Sequence, residues 1–114
     1  MTAQEAARAA RERGAHPHVL RGEAVTSRHE AMEAIAAALS FPDWFGHNLD
    51  ALYDSLTDLS WLPPGEHVLI WPRPAELARH DPRGYESITA VLDDAQRRTA
   101  ELGERVLTVV RTDG

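Results

Sequence analysis

The sequence of 114 residues contains no cysteine, and all 12 of its basic residues are arginine. The absence of cysteine excludes disulfide scaffolds, thiolate zinc sites and cysteine nucleophiles. We interpret the absence of lysine as a coding bias. No apolar run approaches the roughly 20 residues of a membrane span, and the first residues lack the basic and then apolar pattern of a secretory signal. We therefore expect a protein of a reducing, cytoplasmic compartment.

Size and composition are those of one globular domain. Hydrophobic residues make up 43% of the chain and charged residues 26%, which is an ordinary mixture. A folded chain of 12.6 kDa exposes roughly 6,200 Å² of surface. A standard protein interface takes about 800 Å² from each partner. The surface therefore has room for one such site.

Basic residues are missing from one continuous stretch, residues 29–72. This stretch contains no Lys or Arg and seven acidic residues, a net charge of −7: Glu30, Glu33, Asp43, Asp50, Asp54, Asp58 and Glu66. The remaining 70 residues hold 12 basic and 11 acidic side chains, a net charge of +1. A net negative chain is a poor nonspecific ligand for nucleic acid. The segregated charge would steer a basic partner, although an acidic face that keeps the protein in solution is the plainer alternative.

Hydrophobic periodicity and helix-end residues predict an α/β fold. Strands are predicted over 17–21, with a turn at Gly22, and over 67–71 and 106–110. Helices are predicted over 2–14, 49–57 and 74–79, between Ser27 and Ser40, and between Asp81 and Gly103. The order β-α-α-β-α-α-β indicates a small three-stranded parallel sheet packed with about four helices. Residues 1–14 are predicted as an N-terminal helical extension and residues 15–114 as the domain.

Residues able to cap helices support these boundaries. Ser27 is followed three residues later by Glu30, which predicts a capping box. Asn48 is predicted as the N-cap of the 49–57 helix, and Asp50 then lies in the first turn, where the helix dipole favours a carboxylate. Asp81 and Pro82 are predicted as N-cap and first residue of the last helix.

The helix over 49–57 has two different faces. Leu49, Leu52 and Leu56 form one apolar stripe that should face the core. Asp50 and Asp54 lie at i and i+4 on the opposite side, where like charges destabilise a helix by about 0.2–0.5 kcal/mol. Such a pair brings the fold no local gain, so the cations of a partner would explain it.

Aromatic side chains accompany this acidic pair. Trp44, Phe45 and Tyr53 flank the start of the acidic helix, and aromatic anchors beside charges are typical of protein interfaces. Trp61 and Trp71 are predicted as packing residues instead.

An enzymatic site is the alternative interpretation of the same segment. His47, Asp50 and Asp54 could form a metal-dependent hydrolase, but metal ligands must converge, and the two aspartates are predicted to point outward. The sequence has no H-E-x-x-H, no glycine-rich phosphate loop and no G-x-S-x-G elbow. We therefore predict no catalytic residue, no metal and no cofactor.

The run of residues 44–57, WFGHNLDALYDSLT, resembles the signature of the barstar family. Members of this family are small cytoplasmic inhibitors of secreted bacterial ribonucleases. Every fixed position of the signature is matched, and the resemblance extends over about residues 17 to 110. It implies a three-stranded parallel sheet with four helices, in agreement with the predicted element order.

The resemblance also implies a site and a partner. The acidic helix and the loop before it would block the active site of a barnase-type or related guanyl-preferring ribonuclease, as a monomer in a one-to-one complex. Asp54 would occupy the phosphate site, Asp50 would bind basic groups nearby, Trp44 and Tyr53 would pack against the enzyme, and Asp94 would contribute from the later helix. The further implied contact residues are Phe45, Gly46, His47, Asn48, Thr57 and Asp58. Neither nucleic acid nor membrane is expected as a partner.

Departures from the family pattern predict a different cognate ribonuclease. His47 replaces a glutamate, Trp44 and Tyr53 exchange the usual tyrosine and tryptophan, Asp58 replaces a glycine, and Asp94 replaces a longer glutamate. An immunity or regulatory module of the same fold, directed at another basic protein, stays open as the alternative. The family has a cis proline in a tight turn, for which Pro63 and Pro64 are both candidates.

Overall fold

The computed structural model describes residues 1–21, 25–43 and 46–114. The predicted turn at Gly22 and the aromatic residues Trp44 and Phe45 lie outside the described residues. The elements are α1 (Ala3–Glu12), β1 (His16–Val19), α2 (Arg28–Ala38), α3 (Leu49–Asp58), β2 (Gly65–Pro72), α4 (Ala75–His80), α5 (Pro82–Leu102) and β3 (Arg105–Thr112).

The three strands form one parallel sheet in the order β1-β2-β3. β2 is central because its run from Val68 to Trp71 is buried on both faces, as apolar strands of parallel sheets are. Five helices accompany this sheet in the described residues, including the N-terminal one. The predicted fold class is therefore confirmed.

The main core lies between one face of the sheet and helices α2, α3 and α5. The sheet contributes Leu69, Trp71 and Leu107 to this core, and the ring of Trp71 lies 6.0 Å from that of Tyr85 on α5. Trp61 is half-buried, and its indole N–H donates to the carbonyl of Leu39 at 2.9 Å. Both tryptophans are thus packing residues, as predicted. Within the described ranges, no helix is long and apolar enough to cross a membrane.

Helix α1 covers the opposite face of the sheet. Its small residues Ala6, Ala7 and Ala10 are buried against Val68 and Ile70 of β2. A complete capping box fixes its start, because the side chains of Thr2 and Glu5 each bond the backbone N–H of the other residue. A bidentate pair of 3.0 Å bonds between Arg13 and Glu66 ties the end of α1 to β2.

Three details of the strands and their connections differ from the predictions. β1 spans His16–Val19, shifted from the predicted 17–21, because Gly14 turns the chain with φ of +81° and pairing begins two residues later. All described peptide bonds are trans, so neither Pro63 nor Pro64 supplies a cis bond. β2 and β3 extend one or two residues beyond each predicted end, since their backbones continue to pair.

The helix caps are largely as predicted, with one correction. The side chain of Ser27 accepts a bond from the Glu30 N–H at 3.1 Å, but the Glu30 carboxylate makes its stronger hydrogen bonds with Thr26 and weaker ones with Ser27. Thr26 donates to this carboxylate from both its backbone N–H, at 3.0 Å, and its hydroxyl, at 2.8 Å. Asp81 caps α5 through the Gly84 N–H at 2.9 Å.

The packing of α1 on the sheet predicts a contrast between two adjacent alanines. Ala10 is fully buried and Ala9 is exposed. We expect Ala10→Glu to lower the free energy of unfolding by more than about 2 kcal/mol, because it places an unpaired carboxylate against apolar side chains. Ala9→Glu should change it by less than about 0.5 kcal/mol. Urea denaturation measures both, and equal losses would contradict the packing of α1.

Candidate functional site

Asn48 is the N-cap of the acidic helix α3, as predicted. The Asn48 backbone is extended, with φ of −132°, and its side-chain oxygen accepts a 2.8 Å bond from the Ala51 N–H. Its amide nitrogen donates to the carbonyl of Gly46 at 3.4 Å. One side chain therefore starts the helix and ties the preceding loop to it.

The inner face of α3 fixes the helix on the core. Leu52 and Leu56 have no exposed surface, and Leu49 is half-buried against the same core. The backbone of α3 is therefore held in place by the core. Its outer face is accessible on a helix that is already formed. This arrangement confirms the predicted apolar stripe.

Three carboxylates line the outer face of α3. Asp50, Asp54 and Asp58 follow one another at a spacing of four residues, and all three are exposed. We call this set the acidic stripe. Among residues 1–21, 25–43 and 46–114, no cation forms an ion pair with any of the three. The hydroxyl of Ser60 donates to Asp58 at 3.0 Å.

The position of Asp58 in the helix makes its charge locally unfavourable. Asp58 is the last residue of α3, whose last turn contains no basic residue. Carboxylates are disfavoured at a helix C-terminus by the helix dipole, and repulsion between neighbours at i and i+4 adds to this. The charges of Asp54 and Asp58 therefore oppose the stability of α3, whereas the helix dipole favours Asp50 in its first turn.

Tyr53 and Thr57 lie beside the acidic stripe. Tyr53 is half-buried and packs against the main core, so part of its ring stays accessible. The hydroxyl of Thr57 donates to the carbonyl of Tyr53 at 2.9 Å and to that of Asp54 at 3.2 Å. The Thr57 hydroxyl therefore already donates its hydrogen bond within the helix.

The loop before α3 brings two histidines together. Gly46 and His47 are exposed, and His47 has a left-handed backbone with φ of +51°. The His47 ring lies 5.5 Å from the ring of His29 on α2, and His29 pairs with Glu33 at 2.7 Å. The sequence does not predict the part of His29, because its contact with His47 is tertiary and no local spacing signals it.

Asp94 already has a partner within the chain. It lies on α5, the helix that packs beside α3, and its half-exposed carboxylate pairs with Arg97 one turn later. Any outside cation must therefore compete with Arg97 for Asp94. The carboxylates of the acidic stripe face no such competition among the described residues.

The residues of the hydrolase alternative are not gathered into a ligand set. His47, Asp50 and Asp54 are all exposed. In the part of the chain that the structure describes, no group of three or more His, Asp or Glu residues is arranged to hold a metal ion. What the surface offers is a row of carboxylates able to bind cations.

Comparison with known families agrees with this geometry. A sequence model of the family described as Barstar (barnase inhibitor) matches residues 15–111. The match covers most of the chain, including the acidic stripe and Asp94, and it begins after α1. The chain therefore belongs to the barstar family, which confirms the resemblance seen in the sequence. The family is one of barnase inhibitors.

Proposed function

We propose that this protein inhibits a secreted bacterial ribonuclease, binding its active site one-to-one with α3 and the loop before it. The acidic stripe is the observation that carries the proposal. It consists of exposed carboxylates that form no ion pair with a cation of the described residues, on a helix held firmly by its buried face. A row of like charges that repel one another is best explained by cations that a partner supplies.

The chemistry of the stripe suits replacement of RNA phosphates. A carboxylate presents two oxygens that a guanidinium binds with two parallel hydrogen bonds, as it binds a phosphate. Asp54, in the middle of the stripe, would occupy the phosphate site of the enzyme, and Asp50 would bind basic groups beside it. Because Leu52 and Leu56 already fix the helix, little conformational freedom is lost on binding.

Residues around the stripe would complete the interface. Tyr53, together with Trp44 and Phe45 of the loop, would supply aromatic contacts against the enzyme. Asp58 and Asp94 would add negative charge at two edges of the interface. The other residues proposed to contact the partner are Gly46, His47, Asn48 and Thr57. On this proposal the chain has no catalytic activity of its own, works in the bacterial cytoplasm as an immunity protein and protects the producing cell before export of the ribonuclease.

A second candidate is an immunity or regulatory module that binds a different basic protein through the same surface. Two departures from the family pattern, close to the two ends of α3, favour this candidate. His47 stands in an exposed position beside His29, where the family pattern has a glutamate, and the exposed Asp58 replaces a glycine. Both changes alter the chemistry presented to a partner without removing the stripe.

The first test is a titration of the protein into a small secreted guanyl-preferring ribonuclease, followed by cleavage of a fluorogenic RNA. We expect a sharp endpoint at one equivalent. Asp54→Ala should weaken binding by at least about 2 kcal/mol, roughly 30-fold in Kd, because partner cations are left buried and unpaired. Its thermal stability should not fall, since a like-charge repulsion is removed and alanine favours helix.

Asp113→Ala is the matched control for Asp54→Ala. It removes the same charge from an exposed position outside the acidic stripe, and we expect nearly unchanged inhibition. A loss below about 0.5 kcal/mol for Asp54→Ala would reject the site, since interface hot spots lose at least about 2 kcal/mol. Absence of inhibition across several such ribonucleases would favour the second candidate.

The acidic stretch 29–72 also predicts the kinetics of association. Its net charge of −7 should steer a cationic enzyme, so the association rate constant should fall steeply as salt screens the field. Stopped-flow measurements between low salt and roughly 0.5 M NaCl should show a decrease of about tenfold or more. A rate constant independent of salt would contradict steering by this stretch.

The Asp94–Arg97 pair gives a third prediction. We expect Arg97→Ala to strengthen binding by about twofold to fivefold, because it frees a carboxylate from a surface ion pair that contributes about 0.2–1 kcal/mol. Arg98→Ala is the control, since it makes the same change in net charge but removes a partner of Glu101. Surface plasmon resonance compares the two, and equal effects would show that net charge alone matters.

A further inference from the structure

Three histidines lie together on one face of the sheet, in an arrangement that the proposed function does not use. His16 and His18 belong to β1 and His67 to β2, and the strand register places His16 directly beside His67. The rings of His16 and His67 stack with centroids 4.8 Å apart, and the ring of His18 lies 5.1 Å from that of His67. His67 is fully buried. We call this set the histidine cluster.

The hydrogen bonds of His67 determine which of its nitrogens carries the proton. Its Nε2 lies 2.7 Å from the carbonyl oxygen of Pro63. A carbonyl can accept a bond but not donate one, so Nε2 carries the proton. In a neutral ring Nδ1 is then an acceptor, and it receives the 2.9 Å bond from Nε2 of His18. The neutral cluster thus joins β1, β2 and the loop at Pro63 in one chain of hydrogen bonds.

A proton added to His67 breaks this chain. Protonated Nδ1 becomes a donor and meets the donating Nε2 of His18. The new charge would also lie against the stacked ring of His16. The bond between the two strands can then persist only if His18 changes its own protonation pattern.

The charged groups around the cluster do not favour imidazolium. The positive charge of Arg105 on β3 opposes protonation of His67. The Arg105 side chain also donates to the carbonyl of Leu62 at 2.7 Å. Arg21, which follows β1, lines a cavity of about 250 Å³ together with His18 and with small residues of α2. Glu66, the acidic neighbour of His67, is occupied by Arg13 and by Thr108. Within the described ranges, no carboxylate forms an ion pair with the cluster.

The direction of the pKa shifts follows from these surroundings. Burial lowers the pKa of His18, and the adjacent His67 lowers it further, against the opposing effect of the Ala38 carbonyl. Burial also lowers the pKa of His67. The charges of His16 and Arg105 lower it further, whereas the hydrogen bond to the Pro63 carbonyl raises it. These two histidines therefore bind more protons in the unfolded chain than in the folded chain as the solution becomes acidic. Stability from these two groups is complete above about pH 6.5 and is lost as the pH falls through their lower folded values.

We infer that the histidine cluster is a proton-operated latch on strand β1. With neutral rings it holds β1 on β2, and protonation releases β1 from the sheet. β1 is the element most open to such control, because it is a four-residue edge strand whose ladder pairs it with β2 alone in the described sheet. The latch is independent of the acidic stripe and does not rest on the proposed inhibition.

Hydrogen exchange of the full chain at a series of pH values tests the latch. After correction for intrinsic exchange rates, protection of the β1 amides should fall at least tenfold relative to β3 between pH 7.5 and 5.0. His18→Gln should abolish most of this dependence, because its side-chain amide can donate to neutral His67 Nδ1 through its nitrogen and, when rotated, accept from protonated Nδ1 through its oxygen. His80→Gln, an exposed histidine on α4, is the control and should behave as the unmodified chain.

Nitrogen chemical shifts of the imidazole rings in the unmodified chain provide a measurement that does not depend on the folding of a variant. His67 should be an Nε2–H tautomer at neutral pH, and it and His18 should titrate below the ordinary value of about 6.5. The reverse tautomer of His67 would overturn the latch. So would protection of β1 that stays parallel to that of β3 at every pH, or a pH dependence that His18→Gln leaves unchanged.

Discussion

Burial of Leu52 and Leu56 is the interaction on which the acidic stripe depends. A ten-residue helix is marginal by itself in water, and the three aspartates of α3 oppose it by about 0.2–0.5 kcal/mol for each pair. Each leucine, fully buried, contributes about 1.5–3 kcal/mol. The hydrophobic contribution exceeds the repulsion severalfold. The helix can therefore carry neighbouring charges that repel one another, and those charges stay available to an outside cation.

The central strand β2 is covered by helices on both faces of the sheet. β2 is covered on one face by α2, α3 and α5 and on the other by α1, whose alanines allow it to lie close to Val68 and Ile70. The family match begins after α1, yet α1 completes the cover of the central strand. The rigidity of the proposed binding surface thus draws on a segment outside the residues that define the family.

Local features of the fold and site could be predicted from the sequence. The cap at Asn48, the leucine stripe and the outward aspartates follow from residue spacing within a few positions. The stacking of His16 on His67, and the contact between His29 and His47, depend on strand register and helix packing. No spacing along the chain signals such contacts.

Other differences arose from competition between neighbouring groups. Glu30 could bond Ser27 or Thr26, and the sequence does not show which of the two forms the stronger hydrogen bonds. Similarly, the pairing of Asp94 with Arg97 requires a choice of side-chain conformation. Trp44 and Phe45, which the sequence placed in the interface, lie outside the described residues, and their role stays a prediction.

The register of the parallel sheet has a consequence for how the chain folds. His16 pairs with His67, 51 positions later, whereas Gly65 pairs with Arg105 across 40 positions. Contacts between distant positions form slowly, because a long loop must close before they are gained. During synthesis, α1, β1 and α3 all leave the ribosome before β2, the strand that joins them. The newly made N-terminal half is acidic, and it cannot form its sheet until the central strand β2 has been synthesised.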